Sequence, residues 1–320
     1  MTRTSALAHI AHGADGIHTA VFASYVLKSA FQPIFAFGGG KLSIAAFEGL
    51  IRPFRENEPV PPGQFFRAVP AQDRFTVETL TRTLHLLNAG ACLTESASIF
   101  VNFDPSQFCD PALAETALRD MRLVLHQAGI DPARIVCEMT EHVSTSEKTL
   151  FAFVEALRAH GFRIAVDDYG ADHSDMRRIE QLKPDIVKFD AHWITHLMES
   201  GAGFALLKTM VATFNERGIK TVFEGIEEDW QLELAEESGA SMVQGYVLAR
   251  PQLAPTEFGI FAAPEPEISV GAALAIQHLP QIAPSHDRAD ALPRLAVAPV
   301  LSQPGRSGKS RVFGRRQAAR

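Results

Sequence analysis

Arg163-Ile164-Ala165-Val166-Asp167-Asp168-Tyr169-Gly170 is an apolar run that stops on two adjacent carboxylates and a glycine. In a parallel strand buried on both faces, residues read as a continuous hydrophobic run, so the first charges mark where the strand leaves the core. Two acids at that point must be paired or must bind a cation. Neighbouring residues on a strand point to opposite faces, yet at a frayed end both carboxylates can turn toward one metal pair. The bland alternative is a strand-to-helix turn in which an Asp caps the next helix. The choice between the two depends on how the other strands end.

Upstream, Phe31 to Phe37 and Leu42 to Leu50 are strand-like runs around Gly38-Gly39-Gly40, which reads as an antiparallel hairpin. Pro53 to Pro70 reads as a loop, and from Phe75 a helical period carries Val77, Leu80, Leu84 and Leu87, with Gly90 just past its end. Strands and helices then alternate. The strands are Ser98 to Phe103, Arg134 to Glu138, the opening stretch, Asp185 to Phe189, Lys220 to Glu224 and Met242 to Val247. Eight strands, most followed by a helix, and no glycine-rich dinucleotide turn predict an α/β fold: a (β/α)₈ TIM-like barrel with an antiparallel first strand. Residues 1–22 read as a short lead-in and 23–262 as the barrel. Residues 263–320 read as a Pro/Ala-rich, basic, disordered tail.

Of the 320 residues, 46% are hydrophobic and 21% charged, as in an ordinary globular protein. No apolar run approaches the ~18 residues of a membrane span, so no transmembrane anchor and a cytoplasmic location are expected. Cys92, Cys109 and Cys137 are odd in number and set among apolar neighbours, which points to buried thiols rather than a disulfide or zinc site. The net charge of -7 conceals a basic end: Arg306, Lys309, Arg311, Arg315, Arg316 and Arg320 leave 24 basic against 37 acidic side chains elsewhere, a balance of -13. Such a body does not suit DNA.

Catalytic groups of a (β/α)₈ barrel sit at the carboxyl ends of its strands. The last polar residues there are Glu48, Asn102, Glu138, Asp167 with Asp168, Lys188, Glu224 and Gln244. So many acids in one mouth repel unless multivalent cations hold them, and all-oxygen donors favour Mg²⁺ or Mn²⁺. Two such ions sharing an aspartate are a known solution to phosphate-ester hydrolysis. Lys188 fits as the group that orients the nucleophile, and Arg52 as a planar fork for phosphate. Glu141 and Glu227, each three residues past a proposed ligand, read as supports for loops or ligands. His192 and His196 have i, i+4 spacing but no Glu after His192, which favours a solvated helix face over a metalloprotease motif.

Taken in order, Phe31-Gln32-Pro33-Ile34, Phe47-Glu48-Gly49-Leu50-Ile51-Arg52, Val101-Asn102-Phe103, Glu138-Met139-Thr140-Glu141, Asp167-Asp168-Tyr169-Gly170, Lys188-Phe189-Asp190, Phe223-Glu224-Gly225-Ile226-Glu227 and Gln244-Gly245-Tyr246 resemble the EAL-domain phosphodiesterases that hydrolyse cyclic di-GMP. The match runs from about Tyr25 to Phe261. The resemblance implies two Mg²⁺ or Mn²⁺ ions and the opening of one phosphodiester to give linear pGpG. It implies that Glu48, Asn102, Glu138 and Asp167 hold one ion, and Asp167, Asp168 and Glu224 the other. By the same resemblance Lys188 positions the attacking water. Gln244, Arg52 and Gln32 bind near the metals or the substrate phosphate, and Glu141 and Glu227 support the loops.

Three departures stand out. The family's Glu-Ala-Leu is here Glu48-Gly49-Leu50, and Phe223 replaces the usual Ala, which adds bulk beside Glu224. The loop Gly-Thr-Gly-Tyr-Ser-Ser-Leu is here Gly170-Ala171-Asp172-His173-Ser174-Asp175-Met176. In the family that loop connects the metal site to a dimer interface, which makes a homodimer the assembly in question. It also leaves an alternative function, a cyclic di-GMP-binding or protein-interaction module with low turnover.

Overall fold

A computed structural model describes residues 9–108, 110–140, 147–171 and 176–258. All of them fall within Met1–Glu265, one compact unit; Pro266–Arg320 is divided from it, and the whole of the expected tail, 263–320, lies outside the described residues. Eight strands close a barrel: β3 (Tyr25–Gly38), β4 (Lys41–Arg55), β6 (Ser98–Asn102), β7 (Ile135–Thr140), β8 (Arg163–Tyr169), β9 (Ile186–Phe189), β10 (Lys220–Phe223) and β11 (Met242–Val243). From β4 round to β11 every neighbouring pair is parallel. β3 closes the ring and is antiparallel to both β4 and β11. The first barrel strand is therefore the reversed one, as expected from the hairpin.

Apolar stripes and capping residues mark several of the helices. In α3 (Pro111–Ala128) the Asp110 side chain accepts from Ala112 N at 2.9 Å, Pro111 occupies the first turn, and Gly129 ends the helix. α4 (Glu147–Ala159) buries Leu150, Phe153, Val154 and Leu157. α5 spans Met176–Leu182; α6 (Ala191–Met198) is capped by Asp190, α7 (Gly201–Glu216) by Ser200, and α8 spans Asp229–Ser238.

The structure departs from the sequence reading at three places. Residues taken as a lead-in include a hairpin, β1 (Ile10–His12) and β2 (His18–Phe22), paired to the outer part of β3. Its register is fixed by a side cluster of Ala20, Leu27, Ile51, Phe65, Val69, Val77, Leu80 and Leu84 rather than by its own periodicity. The Pro-rich loop holds a two-residue strand, β5 (Glu58–Pro59), and a helix, α1 (Pro62–Ala68), whose proline lies in the first turn where its missing N–H costs nothing. Gly90 lies inside α2 (Arg74–Cys92): a side chain there would collide with the backbone of Ala128 in α3, so the glycine serves close packing and not termination. A final short strand, β12 (Gln252–Leu253), pairs with β3.

Candidate active site

Inside the barrel one apolar residue from each strand packs into a single cluster: Ile34, Ala46, Phe100, Val136, Ala165, Ile186, Val222 and Met242. Strand side chains alternate with period two, so the next inward residue on each strand is two positions on. In the seven parallel strands those residues are Glu48, Asn102, Glu138, Asp167, Lys188, Glu224 and Gln244. In reversed β3 the corresponding residue comes two positions earlier, and it is Gln32. One apolar layer and one polar layer thus account for all eight positions.

Barrel strands are staggered, so this polar ring is not flat. Glu138 pairs across with Ala165 and Lys188 with Val222, each level with its neighbour's apolar layer. Glu48 is likewise level with Phe100. Of the ring, Glu138 and Lys188 lie deepest, 0% and 1% exposed. Lys188 Nζ lies 2.5 Å from Glu138 Oε1, 2.5 Å from Glu224 Oε1, 3.1 Å from Asp167 Oδ1 and 3.8 Å from Glu48 Oε1. Burial by itself would lower the Lys188 pKa, but the carboxylates of Asp167, Glu138, Glu224 and Glu48 outweigh it and hold the ammonium well above its usual range. Burial raises the carboxyls in return. Glu138 goes well above the normal carboxylate range, with Lys188 opposing and Glu48 and Asp167 adding to the rise, and Glu224 is pushed up to about 8.

Asp167 and Asp168 share the site because β8 is not regular there. The register with β9 slips between Val166 and Tyr169, and Asp168 takes a left-handed backbone, φ 57°. That bulge turns the second carboxylate, which simple alternation would send away, back beside the first. Oxygens of Asp167, Asp168 and Glu224 all lie within 4.8 Å of one another. Burial raises the Asp168 carboxyl, and Asp167 raises it further. Gly170, φ 101°, then lets the chain pass under the Trp193 ring, where a Cβ would collide.

The remaining polar residues are tied to this group. Gln244 Nε2 donates to Glu48 Oε2 at 2.8 Å. Gln32 stands opposite Glu48 on β3 and donates to Ala249 O at 3.3 Å. Arg52 lies four residues along from Glu48 on the same face of β4; burial lowers its pKa, and Tyr246 and Glu48 act against the fall. Asn102 ends β6, level with Glu138 in register. Glu227 is exposed, and Gln231 grips its loop, accepting from Glu227 N at 2.8 Å and Glu228 N at 3.0 Å. Gln231 was not singled out from the sequence, although a Gln three residues into a helix is a cap signal. Glu141 and residues 172–175 of the altered loop lie outside the described residues.

Phe223 faces the helices, not the site. It is fully buried, edge-to-face with Phe189 at 5.2 Å, in a cluster with Tyr169, Trp193 and Phe214. Its bulk therefore stands behind the strand. At Gly49 an added Cβ would meet His85 Cγ at 3.1 Å. The His85 ring, buried and hydrogen-bonded to Ser29 Oγ at 2.9 Å, stands where the missing methyl of the triplet would be. His192 and His196 are exposed on α6, Cys137 is buried, and Cys92 is partly buried; Cys109 lies outside the described residues.

The donor set suits a divalent cation. It is all oxygen, three carboxylates converge on one point, and Glu138 Oε2 is buried with no hydrogen-bond partner among the described residues. The EAL domain profile matches residues 18–251. The chain belongs to the EAL domain family. RocR of Pseudomonas aeruginosa, a cyclic di-GMP phosphodiesterase, is 28% identical over 254 residues, which cover 77% of this chain and 61% of RocR. PdeA of Escherichia coli, a probable cyclic di-GMP phosphodiesterase, is 25% identical over 181 residues, 56% of this chain and 24% of PdeA. The EAL chain thus spans about a quarter of PdeA and under two thirds of RocR. Among solved structures, the manganese and cyclic di-GMP complex of Klebsiella pneumoniae BlrP1 superposes with a TM-score of 0.64 at 26% identity, covering 71% of this chain and 56% of that one. No helix among the described residues is long and apolar enough to cross a membrane.

Proposed function

We propose that this EAL chain is a phosphodiesterase that opens cyclic di-GMP to linear pGpG with two Mg²⁺ or Mn²⁺ ions. The observation that carries the reading is the convergence of Asp167, Asp168 and Glu224 oxygens above a buried Glu138 carboxylate with an unpartnered oxygen. Glu48, Asn102, Glu138 and Asp167 are assigned to one ion, and Asp167, Asp168 and Glu224 to the other. Bound cations would supply Lewis-acid polarisation of a phosphoryl oxygen and a water of lowered pKa.

The chain's own groups do the rest. Lys188 Nζ, kept protonated by the surrounding carboxylates, donates to the attacking water and offsets charge gathering on the phosphoryl oxygens. Arg52 presents its fork to the phosphate. Gln244 fixes one Glu48 oxygen, and Gln32 lines the same wall. Glu141 and Glu227 are assigned to loop support, and Gln231 anchors the loop that carries Glu227. We assign catalysis to residues 23–262, a cytoplasmic setting and no DNA partner. A homodimer is the proposed assembly.

Purified chain incubated with cyclic di-GMP and Mn²⁺ is expected to release pGpG, and chelator or Glu48→Ala to abolish its appearance. Tight binding without product would make the chain a receptor for the nucleotide instead. Equal turnover of unrelated phosphodiesters would refute the substrate assignment.

A further inference from the structure

Arg82 stands mid-way along α2, in the outer layer, yet only 6% of it is exposed. A guanidinium taken out of water is costly unless its donors and charge are met. Its carbon lies 4.2 Å from the Phe103 ring centroid and 5.6 Å from that of Phe108. Nη2 donates to Thr79 Oγ1 at 3.4 Å, and Nη1 lies 3.7 Å from Glu78 Oε2 one turn back. One further bond runs inward, from Nη1 to the carbonyl oxygen of Asn102 at 3.3 Å. The other end of that peptide is held too, because Phe103 N donates to Glu138 O at 2.9 Å. Both ends of the peptide leaving Asn102 are thus fixed, one by a helix side chain and one by the neighbouring strand.

We propose that Arg82 is a positioning residue that sets Asn102 for metal binding by gripping its carbonyl. The inference rests on Asn102 being a ligand. It goes beyond that reading by assigning the last residue of β6 a rigid support from outside the barrel. Loss of the grip frees the peptide plane, and with it the direction in which the Asn102 side chain leaves the strand. An outer partner of this kind is commonly worth about 10–100-fold in metal affinity.

The test uses the full chain with Arg82→Met, Arg82→Lys and Asn102→Ala. Mn²⁺ is titrated calorimetrically at a temperature where circular dichroism shows each variant folded, and melting is recorded in chelator. Arg82→Met fills the space over Phe103 but cannot donate, so a roughly 10–100-fold loss of Mn²⁺ affinity is expected. Arg82→Lys should recover part of it, since an ammonium reaches one carbonyl but lacks the stacking plane. The double variant Arg82→Met/Asn102→Ala should bind no worse than Asn102→Ala alone, because both act through one ligand. If Arg82→Met melts lower but binds Mn²⁺ like the parent while Asn102→Ala binds weakly, Arg82 only packs and the inference fails. If Asn102→Ala itself binds like the parent, the ligand assignment fails instead and takes the inference with it. Should Arg82→Met not fold, Arg82→Lys decides: weakened binding supports the grip, and parental binding overturns it.

Discussion

Lys188→Met should unfold well below the parent in chelator and recover most of the difference when Mn²⁺ is added. The Lys188 ammonium lies within 3.8 Å of four carboxylates, at the deepest point of the ring. Removing one partner of a buried ion pair leaves the other charge uncompensated, which costs about 3–5 kcal/mol. For a domain of this size each kcal/mol moves Tm by roughly 2–4 °C, so a fall on the order of 10 °C is expected. Mn²⁺ binds the folded variant and replaces the lost positive charge, so its addition restores stability by linkage. Catalysis should not return with it. The variant lacks the donor to water, and a loss of about 10²–10³-fold in kcat with little change in KM is expected. Equal melting of variant and parent in chelator would show that the carboxylates do not depend on Lys188. Equal falls in kcat and affinity would remove its role on the water.

Asp168 separates backbone from charge. A left-handed residue costs roughly 1–2 kcal/mol for most side chains but is tolerated by Asp, Asn and Gly, and a β-branched residue is a genuine outlier there. Asp168→Asn therefore keeps the bulge and removes only the carboxylate. In chelator its melting should match or slightly exceed the parent's, since the Asp167 charge opposes ionisation of Asp168. Its Mn²⁺ affinity should fall by more than the ~100-fold ceiling typical of outer partners, because a direct ligand is lost. Asp168→Val should share that loss and also melt lower, by a margin on the order of 1–2 kcal/mol, as the slipped register between Val166 and Tyr169 resists a β-branched φ of 57°. If the two variants melt together, the bulge is not what turns the carboxylate inward. If Asp168→Asn binds and hydrolyses like the parent, Asp168 is not a ligand.

The barrel was legible because its signals are local. Buried strands read as apolar runs and the helices between them carry caps and stripes, so alternation alone gives the fold. The polar ring was legible for a related reason: a period of two means that each apolar layer residue announces its partner two positions on. Gln32 escaped the strand-end rule because β3 runs the other way, so its inward polar residue precedes Ile34. It was reached through the motif resemblance alone. The β1–β2 hairpin was hidden because its three- and five-residue strands are too short for a period to show, and its register comes from Leu27, Ile51 and the residues packed over them. Gly90 looked like a stop because its cause, the backbone of Ala128, is distant in sequence. The bulge at Asp168 and the grip of Arg82 on Asn102 depend on partners distant in sequence, whereas the Gln231 cap is local, holding amides three and four residues back, and its signal was there to read. Phe223 shows the converse. Strand alternation places it opposite Glu224, on the helix side, and its apparent intrusion on the site disappears once the faces are separated.

Anomalous scattering at the manganese edge, from crystals grown with Mn²⁺, addresses the binuclear reading with the fewest intervening assumptions. Two peaks are expected inside the mouth, one among Glu48, Asn102, Glu138 and Asp167, the other among Asp167, Asp168 and Glu224, sharing Asp167. A mouth without manganese, or a single ion held away from Asp167, would contradict it.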